Sequence, residues 1–138
     1  MRRMGWADLV AYLTYLAMLV LACVTSPPGA AWYLGIASSV VCAVFWFLAR
    51  WQLGDSFSVT AQARKLVTGG LYARLRHPIY VFGTLAFLFA LLALSGRRAL
   101  AIWPFVLLIQ FGRARREERV LAAAFGPAYE EYRETTWF

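Results

Sequence analysis

Apolar residues along the chain fall into four long stretches, separated by short segments that are polar or rich in glycine and proline. The pattern predicts four helices, at about 6–24, 30–50, 78–94 and 99–124. The first three stretches approach or reach the roughly 20 residues that a helix needs to cross a bilayer. We therefore expect an all-α integral membrane protein with about four transmembrane helices, folded as a single membrane-embedded domain over 1–138.

The fourth stretch is the shortest in its apolar part. Residues 99–111 include Pro104 and cover only about 20 Å at ~1.5 Å per residue, against a hydrocarbon core of about 30 Å. Residues 113–124 are strong helix formers, with apolar side chains on one stripe and charges on another. We expect the helix to continue through Gly112 as a C-terminal cytosolic amphipathic helix, followed by an aromatic, acidic tail at 125–138. A shallow hairpin of the third and fourth segments is the alternative.

The charges are distributed unevenly along this pattern. The chain has 14 Lys and Arg residues and a net charge of +7. If the N-terminus, the polar loop 52–77 and the tail share one side, only Arg97 and Arg98 lie on the other, which leaves twelve on the first side. Positive charge marks the cytoplasmic side of a membrane, so both termini are expected there. This sorting explains the excess of positive charge, so we expect no nucleic-acid partner. We expect the cytoplasmic membrane of a prokaryote.

Few residues could support metal or hydrolytic chemistry. The chain has one histidine, His77, and two cysteines, Cys23 and Cys42, that lie alone in separate apolar stretches. No Cys-x-x-Cys pair, His-Glu-x-x-His motif or Gly-x-Ser-x-Gly motif is present. We therefore predict no metal site and no disulfide.

Basic residues gather just before the third helix. Arg74, Arg76 and His77 precede Pro78, and proline suits the first turn of a helix. The N–H groups and the positive dipole end of that helix would face these residues and form an anion-binding corner. The alternative is that they are ordinary anchors at the membrane interface.

A second polar cluster lies on the fourth helix. Arg113 and Glu117 are four residues apart and share a face, with Arg116 and Glu118 beside them. A solvated salt bridge is the simplest interpretation. However, both clusters are expected at the same depth, where cations and carboxylates together suit a zwitterionic ligand.

Two spaced motifs resemble a known family. The first motif in this chain is Leu66-Val67-Thr68-x-Gly70-x-Tyr72 followed by Arg76-His77-Pro78-x-Tyr80-x-x-Gly83. The second is Arg113-x-x-x-Glu117-Glu118-x-x-Leu121-x-x-x-Phe125-Gly126-x-x-Tyr129-x-x-Tyr132. This pattern, over about 53–133, resembles the isoprenylcysteine carboxyl methyltransferase family, and related membrane phospholipid methyltransferases share part of it.

The resemblance implies a membrane methyltransferase that uses S-adenosylmethionine, with the cofactor held between the loop 52–77 and the C-terminal helix. Carried over by position, the cofactor-binding residues are Gln62, Arg64, Lys65, Leu66, Val67, Tyr72, His77, Pro78, Ile79, Tyr80 and Glu117. The catalytic residues are Arg113, Glu117 and His77, and Arg113 is also expected to bind the substrate.

The methyl acceptor is less closely defined. The family resemblance implies a lipid-like or small apolar acceptor among the membrane lipids, most readily a carboxylate like that of an isoprenylcysteine. A carboxylate is already anionic and would need only orientation by Arg113. A phospholipid amine or a thiol would need a base, for which His77 and Glu118 are available. The alternative of another class is a small membrane protein that binds a ligand or helps a partner without catalysis.

Overall fold

The computed structural model describes residues 6–54 and 66–137, and these residues are almost entirely helical. In chain order the α-helices are α1 (Trp6–Thr25), α2 (Ala30–Leu53), α3 (Pro78–Ser95), α4 (Trp103–Phe125) and α5 (Pro127–Thr135). Short 3-10 helices cover Gly70–Ala73 and Gly96–Ala101. The described residues contain no β-strand beyond an isolated bridge between Leu75 and Trp137. The predicted all-α class is therefore confirmed.

Three helices of the described chain are long and apolar enough to cross a membrane. The candidate spans are Asp8–Thr25, Ala30–Leu53 and Pro78–Ala101. The predicted count of four is not confirmed, because α4 is not among them. Its second half carries a dense run of charged residues from Arg113 to Arg119, and these limit the apolar length available for crossing.

Small residues determine how the spans pack. α3 contacts both α1 and α2, and its contact with α2 is the most extensive among the described helices. At this crossing a Cβ atom added to Gly35 would lie 3.1 Å from the Cβ of Ala93 and 3.2 Å from the carbonyl oxygen of Phe89. In lipid, where helices gain little from apolar burial, such close backbone approach strengthens the van der Waals packing between them.

A buried hydroxyl reinforces the same crossing. Ser39 in α2 donates a 2.8 Å hydrogen bond to the carbonyl oxygen of Ala86 in α3. Its oxygen also lies 2.9 Å from the hydroxyl oxygen of Tyr15 in α1, within hydrogen-bond distance. One serine therefore joins all three spans.

An ion pair fixes the end of α2 to the start of α1. Arg50 donates from Nε to one carboxylate oxygen of Asp8 at 3.0 Å and from Nη2 to the other at 2.8 Å. It also donates from Nη1 to the carbonyl oxygen of Gly54 at 3.0 Å. Both side chains are largely buried, so this bidentate pair holds the point at which the chain leaves α2.

The last part of the chain differs in detail from the prediction. α4 begins at Trp103 rather than at residue 99, because Pro104 occupies its first turn and a 3-10 helix precedes it. The predicted continuation through Gly112 is observed, and Gly126 ends the helix with φ +52°. The region expected as a tail contains a further helix, α5, since Pro127 begins a new helix as well as ending the old one.

Contacts along α4 give its direction. Gln110 in α4 donates a 2.9 Å hydrogen bond to the hydroxyl of Thr84 in α3. Further on, the guanidinium of Arg113 lies 5.3 Å from the ring centre of Tyr80. α4 therefore runs antiparallel to α3 and returns to the end at which α3 begins.

Candidate functional site

His77 lies where the two predicted polar clusters meet. Its side chain is 3% exposed, immediately before Pro78 at the start of α3. Its Nδ1 atom is 3.9 Å from a carboxylate oxygen of Glu117, and its Nε2 atom is 3.5 Å from a carboxylate oxygen of Glu118. Arg76 donates to the same oxygen of Glu118 at 3.1 Å. Two motifs about 40 residues apart in sequence thus form one cluster.

The protonation of His77 follows from its surroundings. Burial lowers the pKa of the imidazole from its ordinary value of 6.5. The carboxylates of Glu117 and Glu118 oppose this shift, and the cation of Arg76 adds to it. Burial is the largest of these effects, so the imidazole is neutral at pH 7.

A small hollow adjoins this cluster. The residues around it are Leu53, Tyr72, Arg76, His77, Ile79, Tyr80 and Glu117. Its volume is about 20 Å³, whereas sites for cofactors and drug-sized ligands commonly measure roughly 300–1,000 Å³. The described residues therefore form only part of a site for a ligand of that size.

The predicted cofactor residues are distributed unequally around this hollow. Those that line it are Tyr72, His77, Ile79, Tyr80 and Glu117. Pro78 is buried at the start of α3, while Leu66 and Val67 are half-buried, and none of the three is among the lining residues. Gln62, Arg64 and Lys65 lie outside the described residues.

A much larger cavity lies between the spans and α4. Its volume is about 470 Å³. Apolar side chains form most of its wall, including Met18, Trp46, Phe87, Leu91, Trp103 and Val106. Its polar residues are Asp8, Tyr80, Thr84, Gln110 and Arg113. Ile79 and Tyr80 line both this cavity and the His77 hollow, so the two spaces adjoin at the first turn of α3.

Comparison with known proteins gives one result that bears on this arrangement. A family model described as phospholipid methyltransferase matches residues 29–128. The chain belongs to the phospholipid methyltransferase family. No curated protein and no solved structure gives a significant match. The matched range contains α2, α3 and α4 with both polar clusters, and family membership together with the three apolar helices indicates a membrane methyltransferase.

In this member of the phospholipid methyltransferase family, the last helix, α5, holds the loop that precedes His77. The sequence resemblance assigned no role to this helix. The Tyr132 hydroxyl donates a 2.7 Å hydrogen bond to the carbonyl oxygen of Tyr72. Burial raises the pKa of Tyr132 to about 12, which keeps the hydroxyl protonated as a donor. Trp137 donates from its backbone N–H to the carbonyl oxygen of Arg74 at 2.8 Å and accepts from the backbone N–H of Arg76 at 3.1 Å. α5 and the residues after it thus fasten the loop in place.

Two further residues that line the hollow at His77, Arg76 and Leu53, were not predicted as site residues. Arg76 was assigned to the basic corner, and its position next to His77 in the motif was the available signal. Leu53 is the last residue of α2, and nothing in its sequence context distinguishes it from the other apolar residues of that helix.

Proposed function

We propose that this protein transfers a methyl group from S-adenosylmethionine to an acceptor that enters the large cavity from the membrane. The observation that carries the proposal is the meeting of His77 and Glu117 beside the hollow, at the point where that hollow adjoins the cavity. A donor in one space and an acceptor in the other would come together at Tyr80. Alignment of this kind supplies much of the rate enhancement in a displacement reaction.

The residues around His77 suit the polar groups of the cofactor. Glu117 can accept hydrogen bonds from an ammonium group, while Arg76 and the N–H groups in the first turn of α3 can bind a carboxylate. The rings of Tyr72 and Tyr80 offer faces for a flat base or a cation. When bound, the cofactor supplies an electrophilic methyl group on a sulfonium. We propose that Gln62, Arg64 and Lys65, together with Leu66 and Val67, complete the site.

A phospholipid amine is the acceptor that this site supports best. The family description points to it, and the neutral imidazole of His77 supplies a base. With the ring proton on Nε2 and directed to Glu118, the Nδ1 atom faces Glu117 and can take a proton from an ammonium headgroup. The amine lone pair would then form the new N–C bond as the methyl–sulfur bond of the sulfonium breaks, and the sulfur would leave as a neutral thioether. The apolar wall of the cavity would hold an acyl chain and exclude water.

A carboxylate acceptor, as in an isoprenylcysteine, is the second candidate. Arg113 lines the cavity at its polar end and lies over the ring of Tyr80, where it can orient an anionic group. Such an acceptor requires no base, so His77 would act only in cofactor binding. A thiol acceptor would share the amine's requirement for deprotonation.

Cofactor binding is the first test. Isothermal calorimetry in detergent should detect S-adenosylmethionine at micromolar affinity, and Glu117→Ala and His77→Ala should each abolish it. Arg116→Ala is the matched control, since Arg116 lies on the same helix and lines neither the hollow nor the cavity. Absence of binding to the unaltered protein would favour a role without catalysis.

The acceptor requires a second test. The protein is incubated with methyl-labelled cofactor and separate membranes that contain phosphatidylethanolamine, an isoprenylated cysteine or a lipid thiol, and the products are identified by mass spectrometry. Label on the ethanolamine nitrogen supports the first candidate. Label on a carboxylate supports the second and removes the proposed role of His77 as a base.

A further inference from the structure

We propose that the protein binds one anionic phospholipid along α4, with its phosphate on the side of that helix facing away from His77. Its acyl chain would lie between α3 and α4, and its phosphate would lie among arginines of α4 and α5. The phosphate site is distinct from the hollow at His77, whereas the groove for the acyl chain shares Tyr80, Thr84, Trp103 and Gln110 with the large cavity. The proposal does not depend on the function proposed above.

The phosphate site is a cleft between α4 and α5. The cleft, here called the basic cleft, has a volume of about 410 Å³. Its lining residues are Phe111, Arg115, Glu118, Arg119, Ala122, Tyr129, Glu130 and Arg133. Of its two carboxylates, Glu118 pairs with Arg76 and Glu130 pairs with Arg133. Within the described chain neither Arg115 nor Arg119 forms an ion pair, so both cations can bind a phosphate.

The acyl-chain site is a groove on the adjacent surface. This groove, here called the α3–α4 groove, has a volume of about 360 Å³ and is lined mainly by apolar side chains. Val81 and Leu85 line it from α3, and Trp103, Leu107 and Phe111 line it from α4. In a membrane such a groove faces lipid tails rather than water.

Phe111 connects the two spaces. It lines both the basic cleft and the α3–α4 groove, and the guanidinium of Arg115 lies 4.9 Å from the centre of its ring. An elongated ligand can therefore pass directly from apolar side chains to cations. A molecule with a hydrocarbon tail and a phosphate matches this order, with an apolar part followed by an anionic group.

The depth of Arg115 and Arg119 in the membrane agrees with the depth of a lipid headgroup. Arg113 is level with Tyr80 in the first turn of α3. Arg115 and Arg119 lie about 3 Å and about 9 Å further along the helix axis, given a rise of ~1.5 Å per residue. They therefore lie near the membrane surface if α3 begins there, and basic residues at that level attract anionic lipids.

The direction of these arginines places the phosphate away from the hollow at His77. Arg115 and Arg119 are each two residues from Glu117, which is about 200° around a helix of 3.6 residues per turn. Glu117 faces His77, so the arginines face away from it. The headgroup of the bound lipid would therefore lie away from the hollow at His77.

The test uses the full chain in detergent without cofactor. Native mass spectrometry follows binding of phosphatidylglycerol, phosphatidylcholine and phosphatidylethanolamine with identical acyl chains, and inorganic phosphate is added as a competitor. We expect phosphatidylglycerol to bind in preference to both other lipids. Arg115→Gln should weaken its binding about fivefold, as should Arg119→Gln, and the double variant should weaken it at least about tenfold.

The matched control removes the same charge elsewhere. Arg97→Gln with Arg98→Gln alters the turn after α3, and it should leave phosphatidylglycerol binding unchanged. Leu107→Trp fills the α3–α4 groove and should weaken binding without a change in charge. The proposal is overturned by equal binding of the three lipids, by preferred binding of phosphatidylethanolamine, or by an equal loss in the control. Full competition by phosphate, with no effect of Leu107→Trp, would also overturn it and indicate a simple anion site.

Discussion

Tyr132 and Tyr72 are joined by a 2.7 Å hydrogen bond from a side-chain hydroxyl to a backbone carbonyl oxygen, across sixty residues of sequence. Tyr72 lines the hollow at His77, and Tyr132 lies in α5, outside it. Both residues are buried. The bond therefore fixes the position of α5 relative to the wall of the candidate cofactor site.

Tyr132→Phe tests this connection. The change keeps the ring and removes the donor, so the buried carbonyl of Tyr72 loses its partner at a cost of about 1–3 kcal/mol in unfolding free energy. We expect weaker cofactor binding as well, because the loop is held less firmly. Tyr129→Phe is the matched control, since the buried Tyr129 hydroxyl has no hydrogen-bond partner among the described residues. Equal effects of both substitutions in thermal unfolding and calorimetry would contradict the prediction.

Gly35→Val tests the packing of α2 on α3. The new side chain would meet Ala93 and the backbone of Phe89, which belong to a packed helix and have little room to move. We expect a loss of about 1–3 kcal/mol from overpacking, measured by denaturant unfolding in detergent. Gly112→Val makes the same chemical change at a site with no atom within 4 Å of the added Cβ, and it should be close to neutral. A comparable loss at both sites would show that valine itself, rather than the crossing, is responsible.

The stability of the protein should depend on pH through His77. Burial lowers the pKa of this imidazole in the folded protein, whereas in the unfolded chain it stays near 6.5. As the pH falls below about 6.5 the unfolded chain takes up a proton before the folded protein does, so stability falls. Unfolding measured between pH 8 and pH 5 should show a smaller decline for His77→Gln than for the unaltered protein. Identical slopes would exclude this contribution.

Arg113→Ala should separate acceptor binding from cofactor binding. Arg113 lines the large cavity but not the hollow at His77. Loss of a charge-assisted hydrogen bond to an anionic group of the acceptor should lower kcat/KM by about 10-fold to 100-fold. The Kd for S-adenosylmethionine should change little, and Arg116→Ala should change neither quantity. Equal losses in turnover and cofactor affinity would remove the assignment of Arg113 to the acceptor.

The three spans were predictable because lipid imposes a simple rule on the sequence. A run of apolar residues of sufficient length forms a helix, and Pro78 and Gly126 signal a beginning and an end that the structure confirms. The meeting of His77 with Glu117 was predictable from the spacing of the motifs. Their chemical roles remain predictions.

The connections between distant polar residues were not predictable in the same way. Arg50 and Asp8 both lie near helix ends, and many pairings would satisfy either charge. α5 was not predicted, because a glycine followed by a proline is typical of the end of a helix. Proline at the first turn, together with Tyr129 and Tyr132 three residues apart on one face, was a signal for a further short helix.

The bridge between Leu75 and Trp137 has a consequence for biosynthesis. His77 and its neighbours are synthesised well before the residues that hold them in place. The loop can adopt its final position only after the chain has been translated at least through Trp137. A nascent chain stalled before that point would already contain its three candidate spans, yet should not retain the cofactor.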